Sequence, residues 1–210
     1  MKRKQGSMKL LIAVPTTDYV HAEFMKCLVE LYGKLIRDGI DTEVKIIGGT
    51  LVYIARNKIA QIAMNENFSH VLWLDSDMTF GPDIVDDLLF CGKDMVCGAF
   101  VGRRPMFGPC VYSDISGFLM EKVREFGTEP FKVAGCGFAT VLMKTDVIRK
   151  VKAEFGTCFN PTDKYGEDLA FCDRAVKTGT EIWCEPTVRP GHIAHIPVYA
   201  GEDMFGGLFG

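Results

Sequence analysis

The sequence lacks several features that would assign it to a specialised class of protein. Its 210 residues contain no internal repeat, no low-complexity segment and no apolar run as long as a membrane span. The formal net charge of -3 at pH 7 argues against a sequence-wide attraction to nucleic acid or to anionic membranes. We therefore expect neither nucleic acid nor a membrane span. With 48% hydrophobic and 24% charged residues, the chain has the composition of a globular domain that folds without a partner.

Cysteine is present, but not in the spacing typical of a metal site. No two of the eight cysteines are separated by only two residues, and most lie in apolar segments. Buried free thiols in a reducing compartment explain them better than disulfides or zinc, which predicts a cytoplasmic protein. The basic N-terminus has no apolar region of the kind that a signal peptide needs. We treat residues 1–8 as a leader or an expression remnant outside the fold.

The most informative stretch is an apolar run that stops at two carboxylates. The run from Val71 to Leu74 predicts a strand buried on both faces, as in a parallel sheet covered by helices. Ligands bind at the carboxyl ends of the strands in such sheets, so Asp75 and Asp77 lie where a site is expected. Paired carboxylates suit a hard divalent cation that also binds substrate phosphates. The alternative is an exposed acidic turn that begins the next helix.

Strand and helix patterns alternate before this stretch, which predicts an α/β fold. Residues 9–14 form a strand closed by Pro15, and Thr16 and Thr17 follow at its carboxyl end. After a helix comes a strand over 43–47 that ends in a glycine turn. This is a strand–helix–strand unit of a parallel sheet.

Basic and amide side chains near two predicted elements allow two interpretations each. Arg56 and Asn57, near the start of the second helix, are either solvated or donors to an anionic ligand. Arg103 and Arg104, which follow a strand over 94–101, either bind phosphate or remain solvated.

The second half of the chain has weaker periodicity and more loops. Residues 105–129 predict a short hairpin or a loop, and residues 155–165 predict a polar loop that is a candidate lid. Gly135 and Gly137 precede an apolar strand, and they permit either a bulge or a close approach of the backbone to a ligand.

Acidic and histidine side chains lie near the end of the chain. Glu167 and Asp168 begin a predicted helix, where the dipole should lower the pKa of a carboxyl group. His192 and His195 follow the last predicted strand. The glycine-rich tail over 199–210 is expected to be loosely ordered or to pack on a neighbour, which would make the chain a homo-oligomer.

Together these residues resemble a nucleotide-diphospho-sugar transferase of the GT-A fold, similar to glycosyltransferase family two and to related small bacterial and phage enzymes. The resemblance extends from Leu10 to about Val198, and its specific part is the order of the motifs. It implies a single GT-A (Rossmann-like) domain over 9–198, with a mostly parallel central sheet and helices on both faces. It also implies a nucleoside diphosphate sugar, most simply a UDP-sugar, as donor and a hydroxyl group as acceptor.

The resemblance implies a role for each motif. Asp75-Ser76-Asp77 is similar to the DxD motif, and with His192 its two aspartates would hold Mn²⁺ or Mg²⁺; His195 is the alternative to His192. Asp168 resembles the general base of inverting members, and Glu167 is the catalytic candidate beside it. Contacts to the donor or cofactor are implied for Pro15, Thr16, Thr17, Arg56, Asn57, Asp75, Ser76, Arg103, Gly135 and Gly137. The Gln-x-x-Arg-Trp segment of processive synthases is absent, so we expect transfer of one sugar at a time.

Two other functions fit parts of the sequence. Asp75-x-Asp77-x-Thr79 also matches the nucleophile loop of haloacid-dehalogenase-type phosphatases, although two strand–helix units precede it and Met78 stands where glycine is usual. The fold could also serve a protein that binds nucleotide sugars without turnover.

Overall fold

The computed structural model describes residues 8–103, 108–117 and 119–194. Its helices are α1 (Ala22–Arg37), α2 (Val52–Asn65), α3 (Ile84–Phe90), α4 (Thr145–Phe155) and α5 (Glu167–Lys177). Its strands are β1 (Lys9–Pro15), β2 (Asp41–Ile47), β3 (His70–Leu74), β4 (Met78–Thr79), β5 (Met95–Gly98), β6 (Val111–Asp114), β7 (Glu121–Lys122), β8 (Phe131–Val133), β9 (Gly135–Cys136), β10 (Thr140–Lys144), β11 (Ile182–Glu185) and β12 (Gly191–His192).

The central sheet is mostly parallel, as the sequence predicts. Its seven strands lie in the order β2-β1-β3-β10-β5-β11-β8. β10 runs antiparallel to β3 and β5, and β8 runs antiparallel to β11. The remaining strands share one direction, so their carboxyl ends meet at one edge of the sheet.

Helices cover both faces of this sheet. Alternate residues of β3 divide between the two resulting cores: Val71 and Trp73 pack on the side of α2, α4 and α5, whereas Leu72 and Leu74 pack on the side of α1 and α3. All four side chains are fully buried, so the predicted strand with two buried faces is confirmed.

The apolar strand predicted after Gly135 and Gly137 is β10. Two short strands, β8 and β9, precede it, and β9 belongs to a separate small sheet with β6 and β7. The Asp75 amide donates to the Ala139 carbonyl over 3.2 Å, which links the end of β3 to the start of β10. The antiparallel direction of β10 thus brings residues 137–139 to the edge where the parallel strands end.

The predicted lid is anchored at its centre. Phe159 is fully buried and stacks on Phe171 at 4.6 Å between ring centroids. Its ring also meets Trp73 and Phe138 edge to face, at 5.0 and 5.1 Å. The lid prediction is therefore wrong for this part of the loop, because an aromatic side chain within the polar segment packs into the core.

Several predicted features fall outside the described residues. These are residues 1–7, Arg104, and residues 195–210 with His195 and the tail. No helix in the described part of the chain is long and apolar enough to cross a membrane.

Candidate active site at the carboxyl ends of β1 and β3

A cleft of about 390 Å³ opens where β1 and β3 end. It gathers side chains from the loops after both strands, from α2 and from the start of α5. Its lining comprises Pro15, Thr16, Thr17, Tyr19, His21, Val52, Arg56, Asp75, Ser76, Asp77, Arg103, Glu167 and Asp168. Most of the predicted site residues therefore lie together, although they come from distant parts of the chain.

Arg56 forms the floor of this cleft and is 2% exposed. Its Nη2 donates to Asp75 Oδ1 over 2.9 Å, and its Nε lies 3.9 Å from Glu167 Oε1. The guanidinium also lies over the rings of Phe138 and Trp73, at 5.3 and 5.8 Å from their centroids. Burial raises the pKa of Asp75, and the Arg56 charge opposes that shift. Arg56 therefore serves as an internal counter-ion for the acidic residues of the cleft.

Asp77 lies between two side chains that can carry a positive charge, Arg103 and His192. Arg103 Nη1 is 2.5 Å from Asp77 Oδ2, and His192 Nε2 is 3.3 Å from the same oxygen. Burial raises the pKa of Asp77, but the hydrogen bond to His192 and the charges nearby outweigh it, so that the pKa lies below its ordinary value. The hydrogen bond to Asp77 in turn raises the pKa of His192.

Strand pairing accounts for the position of His192. β12 pairs antiparallel with β4, and the Ile193 amide donates to the Asp77 carbonyl over 2.8 Å. His192 Nδ1 lies 2.9 Å from the Val101 carbonyl, which can only accept a hydrogen bond. Nδ1 therefore carries a proton, and the hydrogen bond to Asp77 requires a second proton on Nε2, whose place a cation bound between Nε2 and Asp77 would take.

The possible metal ligands at Asp77 and His192 fit a divalent cation that is held by few protein residues. In the described part of the chain, no group of three or more His, Cys, Asp or Glu residues is arranged to hold a metal ion. Asp75 is engaged by Arg56, which leaves Asp77 and His192 as the pair that converges. One carboxylate and one imidazole, completed by phosphate oxygens and water, suit Mn²⁺ or Mg²⁺.

Asp168 lies at the start of α5 on the cleft wall. Burial raises its pKa to about 6, the neighbouring Glu167 charge adds to the shift, and Arg56 opposes it. The Leu169 amide donates to Asp168 Oδ1 over 3.0 Å. The helix dipole was expected to lower this pKa, but desolvation is the larger effect here. A carboxyl group with a pKa near 6 is suited to accept a proton at neutral pH.

The two predicted glycines occupy different surroundings. A Cβ on Gly137 would lie 2.9 Å from a ring carbon of Phe100 and 3.6 Å from Asp168 Oδ2, so this glycine lies directly behind the candidate base. A Cβ on Gly135 would lie 3.0 Å from the Leu169 side chain. Gly135 thus allows β9 to pack closely on α5, and Gly137 allows the backbone to pass close to Asp168.

The loop after β1 is held in place by hydrogen bonds to neighbouring loops. Thr16 Oγ1 donates to the Tyr19 carbonyl over 2.6 Å and lies 2.9 Å from Ser76 Oγ. The Gly49 amide donates to the Thr17 carbonyl over 2.7 Å, and a Cβ on Gly48 would lie only 2.6 Å from that oxygen. Only glycine at position 48 permits this close approach of two backbones.

Asn57 is not in the cleft. Its Nδ2 donates to Asn160 Oδ1 over 2.9 Å, and its Oδ1 accepts from the Phe159 amide over 3.0 Å. It lines a separate hollow of about 440 Å³ between α2 and α4. The structure thus separates Asn57 from Arg56, because adjacent residues of a helix point in different directions.

Three residues of the lining were not among the sequence-predicted site residues: Tyr19, His21 and Val52. Tyr19 and His21 follow Thr16 and Thr17 in the loop after β1. Their position just beyond the carboxyl end of a predicted parallel strand was the signal that could have found them. Val52 is the first residue of α2, and its apolar side chain gives no sign in the sequence that it belongs to a binding site.

The sheet with antiparallel β10 beside β3, and the acidic cleft at its edge, define a GT-A-like fold in a single domain. Solved structures share it. The crystal structure of A197 from STIV aligns with a TM-score of 0.61 and 18% identity, over 93% of this chain and 98% of that chain. The crystal structure of GalNAc-T7 with UDP, GalNAc and Mn²⁺ aligns with a TM-score of 0.61 and 12% identity, over 93% of this chain and 45% of that chain. At these identities the likeness shows the fold alone.

No family model and no curated protein matches the sequence. Membership of glycosyltransferase family two therefore stays a prediction.

Proposed function

We propose that this protein is a metal-dependent glycosyltransferase that moves a sugar from a nucleoside diphosphate to an acceptor hydroxyl. The observation that supports it best is the meeting of Asp75, Asp77, Glu167 and Asp168 in one cleft at the carboxyl edge of a GT-A-like sheet. UDP is the nucleotide that we propose, by analogy with GalNAc-T7, which was solved with UDP, GalNAc and Mn²⁺.

The residues divide into a side for the leaving group and a side for the proton. Asp77 and His192 would hold the cation, which when bound offsets negative charge on the departing diphosphate. Arg103 lies beside Asp77 and presents a second positive charge to the same phosphates. Asp168 takes the proton from the acceptor hydroxyl at a carboxylate oxygen, and its pKa near 6 keeps it ionised yet basic at neutral pH.

A phosphatase of the haloacid-dehalogenase type fits these residues less well. Its mechanism would require Asp75 to attack phosphorus, but Asp75 Oδ1 accepts a hydrogen bond from the buried Arg56. Asp75 also follows the third strand of the chain, whereas that nucleophile loop normally follows the first.

The test is a thermal-shift screen of nucleoside diphosphates with and without Mn²⁺, on the wild type, Asp77→Ala and Asp94→Ala. Asp94 pairs with Lys144 at 2.7 Å outside the cleft and is the matched control. UDP with Mn²⁺ should raise the melting temperature of the wild type and of Asp94→Ala but not of Asp77→Ala. A shift with Mg²⁺ and a phosphate mimic, and with no nucleotide, would favour the phosphatase. Binding without donor hydrolysis or transfer would favour a protein that only binds nucleotide sugars.

A further inference from the structure

The outer edge of β2 has no partner strand in the described part of the chain, since β2 ends the central sheet. The Thr16 amide donates to the Ile47 carbonyl, so Ile47 directs its backbone polar groups toward β1. This direction alternates along a strand, and Thr42, Val44 and Ile46 therefore direct theirs outward. Such an edge is a ready template for another strand.

An apolar stripe on α1 lies beside this edge. Met25, Val29, Tyr32 and Ile36 recur at helical spacing and are 38%, 64%, 39% and 50% exposed. The opposite flank of α1 carries Lys34, which pairs with Asp86 of α3, so the stripe faces the β2 side of the molecule.

Two side chains of β2 continue this stripe. Val44 and Ile46 lie opposite Ile12 and Val14 of β1, which belong to the core under α1. Ile46 is 45% exposed, and the stripe together with β2 is hereafter the β2 edge surface. A contiguous apolar surface beside unpaired backbone groups is typical of an interaction site.

We propose that the β2 edge surface binds a second copy of this chain in a two-fold dimer. An antiparallel pairing centred on Val44 places Glu43 opposite the partner's Lys45, and the symmetry repeats that pair. Val44 and the partner's Val44 are then a hydrogen-bonded pair, because both direct their polar groups outward. Glu43 and Lys45 project from the face of β2 opposite to Val44, where they contact each other at 3.2 Å and also lie 3.5 Å from Lys9 and 3.8 Å from Glu66, respectively.

The same symmetry makes the two α1 helices antiparallel. The apolar stripes of the two helices then face each other. The strand pairing satisfies backbone groups, and the helices add apolar contact area. The clefts of the two copies open at opposite ends of the joined sheet.

The experiment is sedimentation of the wild type and of two charge reversals, Glu43→Lys and Lys45→Glu. Each reversal places like charges opposite each other at two positions, which should raise the dimer dissociation constant by at least roughly tenfold. An equimolar mixture of the two variants restores both attractive pairs and should sediment as a heterodimer. Glu181→Lys, which breaks an exposed ion pair with Lys132 on the other side of the sheet, is the control and should leave the wild-type mass unchanged.

Val29→Glu gives a second variant that tests the helix contribution. Val29 is 64% exposed, so the substitution should yield a folded monomer with an unchanged circular dichroism spectrum. A wild type that sediments as a monomer at every concentration would overturn the proposal. If the Val44 amide of that monomer were protected from hydrogen exchange, another strand, such as one of the chain's own ends, would occupy this edge. A dimer that neither reversal weakens would overturn it as well. None of these measurements depends on glycosyl transfer.

Discussion

His192 Nε2 lies 3.3 Å from Asp77 Oδ2, although the two residues are 115 positions apart in the chain. The pairing of β12 with β4 creates this contact, and the Val101 carbonyl orients the other ring nitrogen. The imidazole thus keeps a proton on Nδ1 and directs Nε2 toward the carboxylate, as a metal ligand that binds through Nε2 needs.

His192→Ala should therefore weaken binding of Mn²⁺ in the presence of UDP. Removal of a residue that only hydrogen-bonds to a metal ligand lowers metal affinity by roughly 10–100-fold. Loss of the ligand itself should lower the affinity by at least that much. Isothermal titration of Mn²⁺ into the UDP-saturated protein measures it. His70→Ala, at the opposite end of β3, should bind Mn²⁺ as the wild type does; equal affinities of all three proteins would remove His192 from the metal site.

Asp168→Asn should slow transfer strongly and leave nucleotide binding intact, because an amide cannot accept the proton of the acceptor hydroxyl. A loss of about 10²–10⁴-fold in kcat is expected for a general base. In the wild type, kcat/KM should rise with pH and level off above about 6, where Asp168 is ionised. Asp173→Asn on the same helix, whose carboxylate pairs with Lys177, is the control. A flat pH profile between 5 and 7 would contradict the assignment.

The same carboxyl group should lower stability at neutral pH. Its pKa is about 6 in the folded state against an ordinary value of 3.8, so the folded chain holds this proton more tightly than the unfolded chain. The wild type therefore loses stability as the pH rises from about 4 to about 6, by up to roughly 3 kcal/mol. Asp168→Asn removes this loss. In urea unfolding, Asp168→Asn should have a higher free energy of unfolding than the wild type at pH 7 and no such advantage at pH 4.

Gly48→Ala should destabilise the loops beside the cleft. The new Cβ would lie 2.6 Å from the Thr17 carbonyl, and backbone on one side or the other must move. Overpacking of this kind costs about 1–3 kcal/mol. Gly81→Ala is the matched control, since a Cβ there meets nothing within 4 Å. Equal denaturation midpoints for the two variants would show that the loops can separate at no cost.

Sequence patterns predicted the elements whose buried faces can be recognised from a short stretch of residues. The apolar run before Asp75 predicted a strand with two buried faces, and its carboxyl end located the acidic residues. Alternation of strands and helices likewise predicted the mostly parallel sheet. The direction of β10 was not predictable in this way, because an apolar run has the same pattern in either direction.

The environment of each site residue depended on contacts between distant segments. Arg56 appeared either solvated or ligand-binding, yet Trp73 and Phe138 bury it beneath Asp75. Asn57 was expected to act beside it, but residues of the loop after α4 hold its side chain. Asp168 was expected to have a lowered pKa, and only the tertiary burial of its carboxyl group reverses that.

Partial neutralisation of the cleft by Arg56 has a consequence for how the nucleotide and its cation affect each other's binding. The cleft holds the carboxylates of Asp75, Asp77, Glu167 and Asp168 against the guanidinium groups of Arg56 and Arg103. A diphosphate that arrives alone is repelled by the surplus negative charge of the cleft, whereas one that arrives with a divalent cation carries less negative charge and is repelled less. Each ligand should therefore raise the affinity of the other by the same factor, and UDP titrations with and without Mn²⁺ would refute this if the affinities were equal. On this view the cleft admits the nucleotide and its cation as a neutralised pair.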